Sequence, residues 1–307
     1  MNNTTSHRQT LYVLTADRHF LNLLNQPQLS GKIEQVFSKA INVFIGNQLF
    51  TLLSSQLDNA PNSCRLLNKN LALLNINSSD NFQILNGKVS IGDCYWLSFS
   101  LCTVWQQSVI NFINDKVNKK NYQSFLLKQI NEVDFILSEA KSSLFNYQGD
   151  NLFYLASAEK LNQLRSDLIC LIKKKQRKNL ADVIRQFVGL GIGLTPSGDD
   201  YLVGLMAFLL LKGNPVAVLY HDFYQGIIQG NEKTTAISAI TLKKALDHEY
   251  RENMCQLIQS LVDANEINIH SQILNILNIG SSSGSDMQFG IRDALYLTHY
   301  FGERYVD

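Results

Sequence analysis

The chain has 307 residues, of which 45% are hydrophobic and 17% are charged. This apolar fraction is enough for a hydrophobic core and excludes a chain that is disordered throughout. The 27 basic and 26 acidic residues leave a formal net charge of +1, so no global field attracts nucleic acid or anionic lipid. The longest apolar stretch, residues 201–211, is far shorter than the roughly 20 residues that span a bilayer.

The cysteines and the first residues indicate a cellular compartment. Residues 1–10 are polar and lack the apolar centre of a signal peptide. The cysteines are odd in number, widely spaced and without a Cys-x-x-Cys pair, which favours reduced thiols over a disulfide framework or a zinc site. We therefore expect a cytoplasmic protein with free thiols at Cys64, Cys94, Cys102, Cys170 and Cys255.

The first hundred residues carry the pattern of β structure. Asn86-Gly87 is a strong signal for a tight hairpin, and Gly46-Asn47-Gln48 is a plausible second one. Several short strands at close spacing predict a β-rich N-terminal domain over residues 8–114, folded as a small barrel or sandwich. The predicted strands are 11–14, 41–45, 49–53, 82–85, 88–91 and 95–101.

The remaining residues, 115–307, carry apolar side chains at the three- and four-residue spacing of helices. They predict an all-helical C-terminal domain and an α+β protein. The predicted helices are 121–144, 156–175, 180–188, 199–211, 215–228, 234–247, 254–263, 271–277 and 285–300.

One basic cluster lies between two of these helices, at Lys173, Lys174, Lys175, Arg177 and Lys178. Cations are favoured at the C-terminal end of a helix, so a solvated helix end explains the cluster. A patch for RNA or for an acidic partner is the alternative, although no aromatic residues are interleaved to stack on bases.

A glycine-rich segment, residues 189–200, runs directly into an apolar helix. Alternate glycines allow the backbone to approach a ligand, and a helix start binds phosphate or carboxylate well. The alternative is structural, because Ser197-x-x-Asp200 also fits a loose capping box. The substrate-binding candidates in this segment are Gly191, Gly193, Thr195, Ser197 and Gly198.

A second segment repeats this pattern near the C-terminus. Ser-Gly-x-Asp-x-x-x-Gly occurs at Ser197–Gly204 and again at Ser283–Gly290, 86 positions later. The final glycine of each copy allows two helices to pack closely, which would bring two positive helix ends to one cleft. We predict that the copies meet and form one anion site that includes Ser283 and Gly284. Two independent helix caps are the alternative.

A third segment supplies hydroxyl groups. Thr234, Ser238 and Thr241 are spaced to form one stripe on a helix, and we take Thr234, Thr235 and Ser238 as further substrate-binding candidates. The catalytic candidates are Asp199, Asp200 and Asp286. Carboxylates also suit magnesium or calcium. These three lack an ordered ligand spacing, so no metal site is predicted and the cofactor is left open.

The block from Gly193 to Gly204 resembles the small-subunit family of the oxamate carbamoyltransferase complex of anaerobic allantoin degradation. Residues 234–238 and 282–286 are similar to later motifs of that family, in the same order. The resemblance covers mainly residues 185–300. A Pro often stands in the family where this chain has Ile192, and a His where it has Ser281.

The resemblance implies a transferase subunit in purine catabolism that works with two larger partner subunits in a hetero-oligomer. Such a complex moves a carbamoyl group between oxamate and carbamoyl phosphate, a small dianion that suits helix N-termini. Two other functions remain open from the residues. One is a metal-dependent hydrolase or phosphotransferase that uses Asp199, Asp200 and Asp286. The other is a non-catalytic scaffold or anion-sensing subunit.

Overall fold

The computed structural model describes residues 8–112, 116–140 and 143–303. The chain divides into two compact units, Met1–Ser108 and Val109–Asp307. The first is built around a β-barrel and the second is helical, which confirms the predicted α+β class. No helix within the described residues is long and apolar enough to cross a membrane.

The first unit is a closed barrel of eight strands rather than a sandwich. Its strands follow the order β5-β4-β3-β2-β6-β7-β8-β1, and pairing of β1 with β5 closes the ring. A ninth strand lies parallel to the end of β1. The strands are β1 Gln9–Asp17, β2 Gln28–Val36, β3 Ala40–Ile45, β4 Gln48–Leu53, β5 Ser63–Leu66, β6 Asn81–Leu85, β7 Lys88–Ile91, β8 Tyr95–Ser98 and β9 Thr103–Trp105.

Both predicted hairpins are confirmed. Leu85 pairs with Lys88 across Asn86-Gly87, whose φ angles of 48° and 75° fit a type I′ turn. Ile45 pairs with Gln48, so the second turn has only two central residues.

Strand β2 was not predicted from the sequence, because few of its residues are apolar and Gly31 interrupts the pattern. The structure explains this glycine. A Cβ at Gly31 would lie 2.5 Å from the carbonyl oxygen of Phe44 on the neighbouring strand. The short strands β5 and β9 and the five-residue helix α1, Arg18–Asn22, were also not predicted.

The second unit is built around α5, whose residues are all buried, and α10, which packs against it. The helices are α2 Lys120–Glu139, α3 Leu152–Lys173, α4 Leu180–Phe187, α5 Ser197–Leu209, α6 Tyr220–Gly230, α7 Ala236–Leu246, α8 Glu252–Asp263, α9 Ile269–Leu277 and α10 Ser283–Gly302.

The predicted helices differ from the structure by at most four residues at either end, except for two that differ by five. The helix expected at 121–144 ends at Glu139, and residues 141–142 of that range lie outside the described part of the chain. The helix expected at 215–228 begins only at Tyr220, after a turn of 3-10 helix at Ala217–Leu219. The segment from residue 215 carries helical spacing, but before Tyr220 it forms a turn of 3-10 helix instead of an α-helix.

A buried charge network joins α3, α5 and α10. Arg165 makes two hydrogen bonds to Asp293, of 2.5 and 2.8 Å, and the Tyr201 hydroxyl donates to the same carboxylate at 2.9 Å. A buried carboxylate is tolerated only when its charge is paired and hydrogen-bonded. These bonds join the three core helices through one carboxylate.

Candidate functional site

The starts of α5 and α10 lie side by side. The hydroxyl groups of Thr195 and Ser283 are hydrogen-bonded at 2.8 Å, so the two Ser-Gly-x-Asp segments meet as predicted. A Cβ at Gly204 would lie 2.0 Å from the carbonyl oxygen of Met287, and one at Gly290 would lie 2.1 Å from that of Tyr201. The two contacts are reciprocal, because Tyr201 and Met287 occupy the same place in their copies. We call this contact the α5–α10 joint.

The second residue of each copy is also a glycine for a packing reason. A Cβ at Gly198 would lie 2.2 Å from the carbonyl oxygen of Phe187, where α4 ends. A Cβ at Gly284 would lie 2.0 Å from that of Ile276, near the end of α9. Each copy is therefore a helix start pressed onto the end of the preceding helix.

The capping-box interpretation is wrong. Pro196 and Ser282 are the N-caps of α5 and α10, and neither helix has a hydrogen bond from the cap side chain. The backbone amides of Gly198 and Asp199 donate to the carbonyls of Leu190 and Pro196. The helix starts thus contribute their positive dipole ends, while part of their N–H groups is already used.

The carboxyl groups of Asp200 and Asp286 each lie beside a serine hydroxyl of the opposite copy. Asp200 lies beside the hydroxyls of Ser283 and Thr195, and Asp286 beside those of Ser143, Ser197 and Ser282. Both aspartates are buried, and among the described residues the Oδ2 atom of each has no hydrogen-bond partner. The joint therefore contains two carboxyl oxygens whose capacity to form hydrogen bonds is unused.

Burial dominates the electrostatics of these acids. It raises the pKa of Asp286 to about 6, although hydrogen bonds from the neighbouring hydroxyl groups lower that pKa. The pKa of Asp200 is also raised, first by burial and then by the negative charge of Asp286. Burial raises the pKa of Asp199 as well, opposed by hydrogen bonds from Thr234, Ser238 and Gly189. All three acids hold a proton to higher pH than free aspartate.

Asp199 links the glycine segment to α7. Its Oδ1 accepts from the Gly189 backbone N–H at 2.9 Å, and its Oδ2 accepts from the Ser238 hydroxyl at 2.7 Å and from Thr234. The predicted hydroxyl stripe on one helix is wrong for Thr234, which precedes α7. Thr241 donates only one turn back, to the carbonyl of Ile237.

The loop over the joint is open to solvent. Thr235 caps α7 by accepting from the Ser238 amide, and it also donates to the Leu194 carbonyl. Gly193 has a φ of +84° and no atom near its missing Cβ, whereas a Cβ at Gly191 would lie 2.5 Å from the Ser197 nitrogen. The predicted binding residues thus lie in three places: the joint (Ser197, Gly198, Ser283 and Gly284), the loop before α5 (Gly191, Gly193 and Thr195) and the start of α7 (Thr234, Thr235 and Ser238). Gly193 is exposed.

Ser143 is a residue of this site that the sequence did not reveal. Its hydroxyl donates to Asp286 Oδ1 and also accepts from the Phe145 amide, which starts a turn of 3-10 helix. A lone serine far from the glycine segments carries no signal of this contact. Within the described ranges, no three His, Cys, Asp or Glu side chains are grouped so that they could hold a metal ion.

Comparison with known proteins assigns the chain to a family. Residues 187–295 match the family model described as oxamate carbamoyltransferase subunit AllH, and residues 12–104 match the AllH family N-terminal domain. No solved structure matches the chain. The first match contains both copies of the Ser-Gly-x-Asp pattern, and the second lies within the barrel. The chain belongs to the AllH family of oxamate carbamoyltransferase subunits.

Proposed function

We propose that this chain is the subunit of a cytoplasmic complex that moves a carbamoyl group between oxamate and carbamoyl phosphate, with the small anion bound at the α5–α10 joint. The observation that carries the proposal is the pair of buried carboxyl groups, Asp200 and Asp286, each with an unused oxygen between two helix starts. The five cysteines are odd in number, widely spaced and without a Cys-x-x-Cys pair, which favours a reducing compartment.

The reaction needs a proton carrier. When carbamoyl phosphate forms, a phosphate oxygen attacks the carbamoyl carbon, the bond from that carbon to the oxamate nitrogen breaks, and the nitrogen takes up a proton. A buried acid with a raised pKa suits this donation. We assign it to Asp200, because burial and the charge of Asp286 both raise its pKa. In the reverse direction its carboxylate accepts the proton.

The anion is held by the other groups at the joint. Two helix ends direct positive dipoles at Thr195 and Ser283, whose hydroxyls can donate to a phosphate or carboxylate. A protonated Asp200 removes the repulsion that a second carboxylate would exert on the ligand. Asp199 acts as a positioning residue in this scheme, because its bonds to α7 and Gly189 hold the loop.

Two larger partner subunits complete the site. The unused oxygens of Asp200 and Asp286 are buried in the chain alone, so substrate reaches them only when part of the structure around the joint moves, and we assign this movement to the loop at residues 191–194. Ile192 and Leu194 are exposed on that loop, 37% and 42% accessible. We propose that the partner subunits contact this loop and move it, so that the chain is active only in its complex.

The test is oxamate-dependent phosphate release from carbamoyl phosphate by the chain co-purified with two larger subunits. Asp200→Asn should lower kcat by at least about 100-fold without loss of assembly, because general acid–base catalysis contributes that much or more. Thr241→Val is the matched control and should stay within twofold. Full activity of Asp200→Asn would contradict the assignment and favour a scaffold role. Metal-dependent hydrolysis of phosphate esters by the isolated chain would favour a hydrolase instead.

A further inference from the structure

A second concave surface in the helical unit lies where the end of α3 meets α10. Its volume is about 670 Å³, within the range of small-molecule sites. The described residues that line it include three cationic side chains, Lys173, Lys174 and Arg292, and neither Asp nor Glu. Tyr296 and Tyr300 form part of the wall. We call it the Lys173 groove.

Arg292 is already neutralised. Its guanidinium makes two hydrogen bonds to Asp134, of 2.8 and 2.9 Å, and a third to Asp293 at 3.3 Å. A planar guanidinium with both neighbouring carboxylates in contact is held rigidly. Arg292 therefore shapes the groove without adding a free charge to it.

Lys173 is in the opposite situation. Its ammonium donates to the Tyr296 hydroxyl at 2.9 Å and lies 4.3 Å from the centroid of the Tyr300 ring. The side chain is half-buried, and no carboxylate of the described residues lies within salt-bridge distance of it. Ring faces attract a cation but carry no net charge, so the described residues leave the charge of Lys173 uncompensated in a partly desolvated place.

Among the described acids around the groove, two are bound to arginines. Asp134 pairs with Arg292 and Asp293 with Arg165, while Glu303 is exposed and lies 3.6 Å from the His299 imidazole. Neither Asp134 nor Asp293 can neutralise Lys173 without breaking an existing ion pair. Lys174 adds an exposed positive charge beside it, and the Tyr296 hydroxyl, which accepts from Lys173, still has its own proton to donate.

We propose that the Lys173 groove binds a small anion with at least two negative charges on adjacent phosphate or carboxylate groups. The two lysines match two charges, and the Tyr296 hydroxyl supplies a directed hydrogen bond. The site is distinct from the α5–α10 joint, because Tyr296 lies 13 residues after Ser283 on α10, about 20 Å along the helix. The proposal does not depend on the function of the joint.

Calorimetric titration of the full chain with pyrophosphate in low salt tests the groove. Lys173→Met should weaken binding at this site at least tenfold, and Lys174→Met about threefold. Lys178→Met, an exposed lysine of the same basic cluster, should change it less than twofold. Ser283→Ala, a change at the joint, should leave the groove affinity unchanged. Near-UV circular dichroism checks that each variant is folded, and the exposed Lys174 keeps the test valid if Lys173→Met fails to fold.

Four results would overturn the proposal. One is the absence of heat at 10 mM pyrophosphate, and another is an equal loss in Lys173→Met and Lys178→Met, which indicates diffuse attraction of ions. The third is binding of poly-L-glutamate without binding of pyrophosphate, which would make the groove a docking surface for an acidic chain. Loss of pyrophosphate binding in Ser283→Ala alone would locate it at the joint and would also count against the groove.

Discussion

The two Ser-Gly-x-Asp copies share their packing but differ in what surrounds them. In the first, nine residues separate the end of α4 from Ser197, and the acid Asp199 is tied to α7. In the second, only five residues separate the end of α9 from Ser283, and Ser285 stands in the place of Asp199. The repeat thus serves the contact between helices, while the longer loop and the additional acid distinguish the first copy, where we propose that the ligand binds.

The largest expected effect comes from breaking the contact that both copies share. Gly204→Ala and Gly290→Ala should each lower the free energy of unfolding by about 3 kcal/mol or more, because each new Cβ would collide with backbone that cannot move aside. Urea unfolding of the full chain measures this.

Gly193→Ala is the control, since its Cβ has open space and only its φ of +84° is strained, at a cost of about 1 kcal/mol. The double variant at Gly204 and Gly290 should cost less than the sum of the single ones, because both disturb one interface. A large loss of unfolding free energy at only one of the two glycines would contradict the reciprocal contact at the joint.

The second effect is a pH dependence that Asp286 confers. Its pKa is about 6 in the folded protein and near 3.8 when unfolded, so the folded state binds more protons between these values. The stability contribution is complete below pH 4 and is lost as the pH rises through 6. Relative to wild type, Asp286→Asn should gain roughly 2 to 3 kcal/mol of stability between pH 4 and pH 7.

Asp134→Asn is the control, because that carboxylate is half-exposed and pairs with Arg292 outside the joint. It should not gain stability relative to wild type as the pH rises over the same interval. A difference in unfolding free energy between wild type and Asp286→Asn that does not change with pH would contradict this prediction. It would show that the pKa of this carboxyl group is not raised and that the joint does not desolvate it.

The smallest expected effect tests the hydrogen bond between Ser238 and Asp199, the acid that only the first copy has. Ser238→Ala removes a donor from Asp199 and should cost about 1 to 2 kcal/mol, because a buried carboxylate loses a hydrogen bond. Thr241→Val removes a hydroxyl of the same helix that donates only to a backbone carbonyl, and should cost less than about 0.5 kcal/mol. Thermal unfolding at pH 8 compares them, and equal costs would mean that Asp199 does not anchor α7.

Local features of the fold were predictable where the residues of a short segment are sufficient to determine its conformation. Asn86-Gly87 needs two positive φ angles, and these residues adopt them at little cost. Strand β2 was not predictable, because Gly31 is explained only by the carbonyl of Phe44 on another strand. Closure of the barrel by β1 and β5 likewise pairs residues about fifty positions apart.

For the candidate site, the repeated pattern with its last glycines predicted that two distant segments meet. The sequence also suggested a capping box, which is wrong, because the spacing Ser-x-x-Asp cannot tell whether the acid turns to its own helix or to the other. Ser143 could not be found at all, since no spacing links it to Asp286.

By itself, the sequence determined the α+β class, both hairpins, the helical second half and the pairing of the two glycine-marked helix starts, since each depends on the identity and spacing of nearby residues. Only the tertiary structure decided which groups face Asp200 and Asp286, and that both acids are buried with an oxygen unused. It also left Lys173 without a carboxylate partner among the described residues. Burial and charge pairing depend on which elements of the chain come together in space. This packing, rather than residue type alone, sets the protonation of the acids and the charge of the groove.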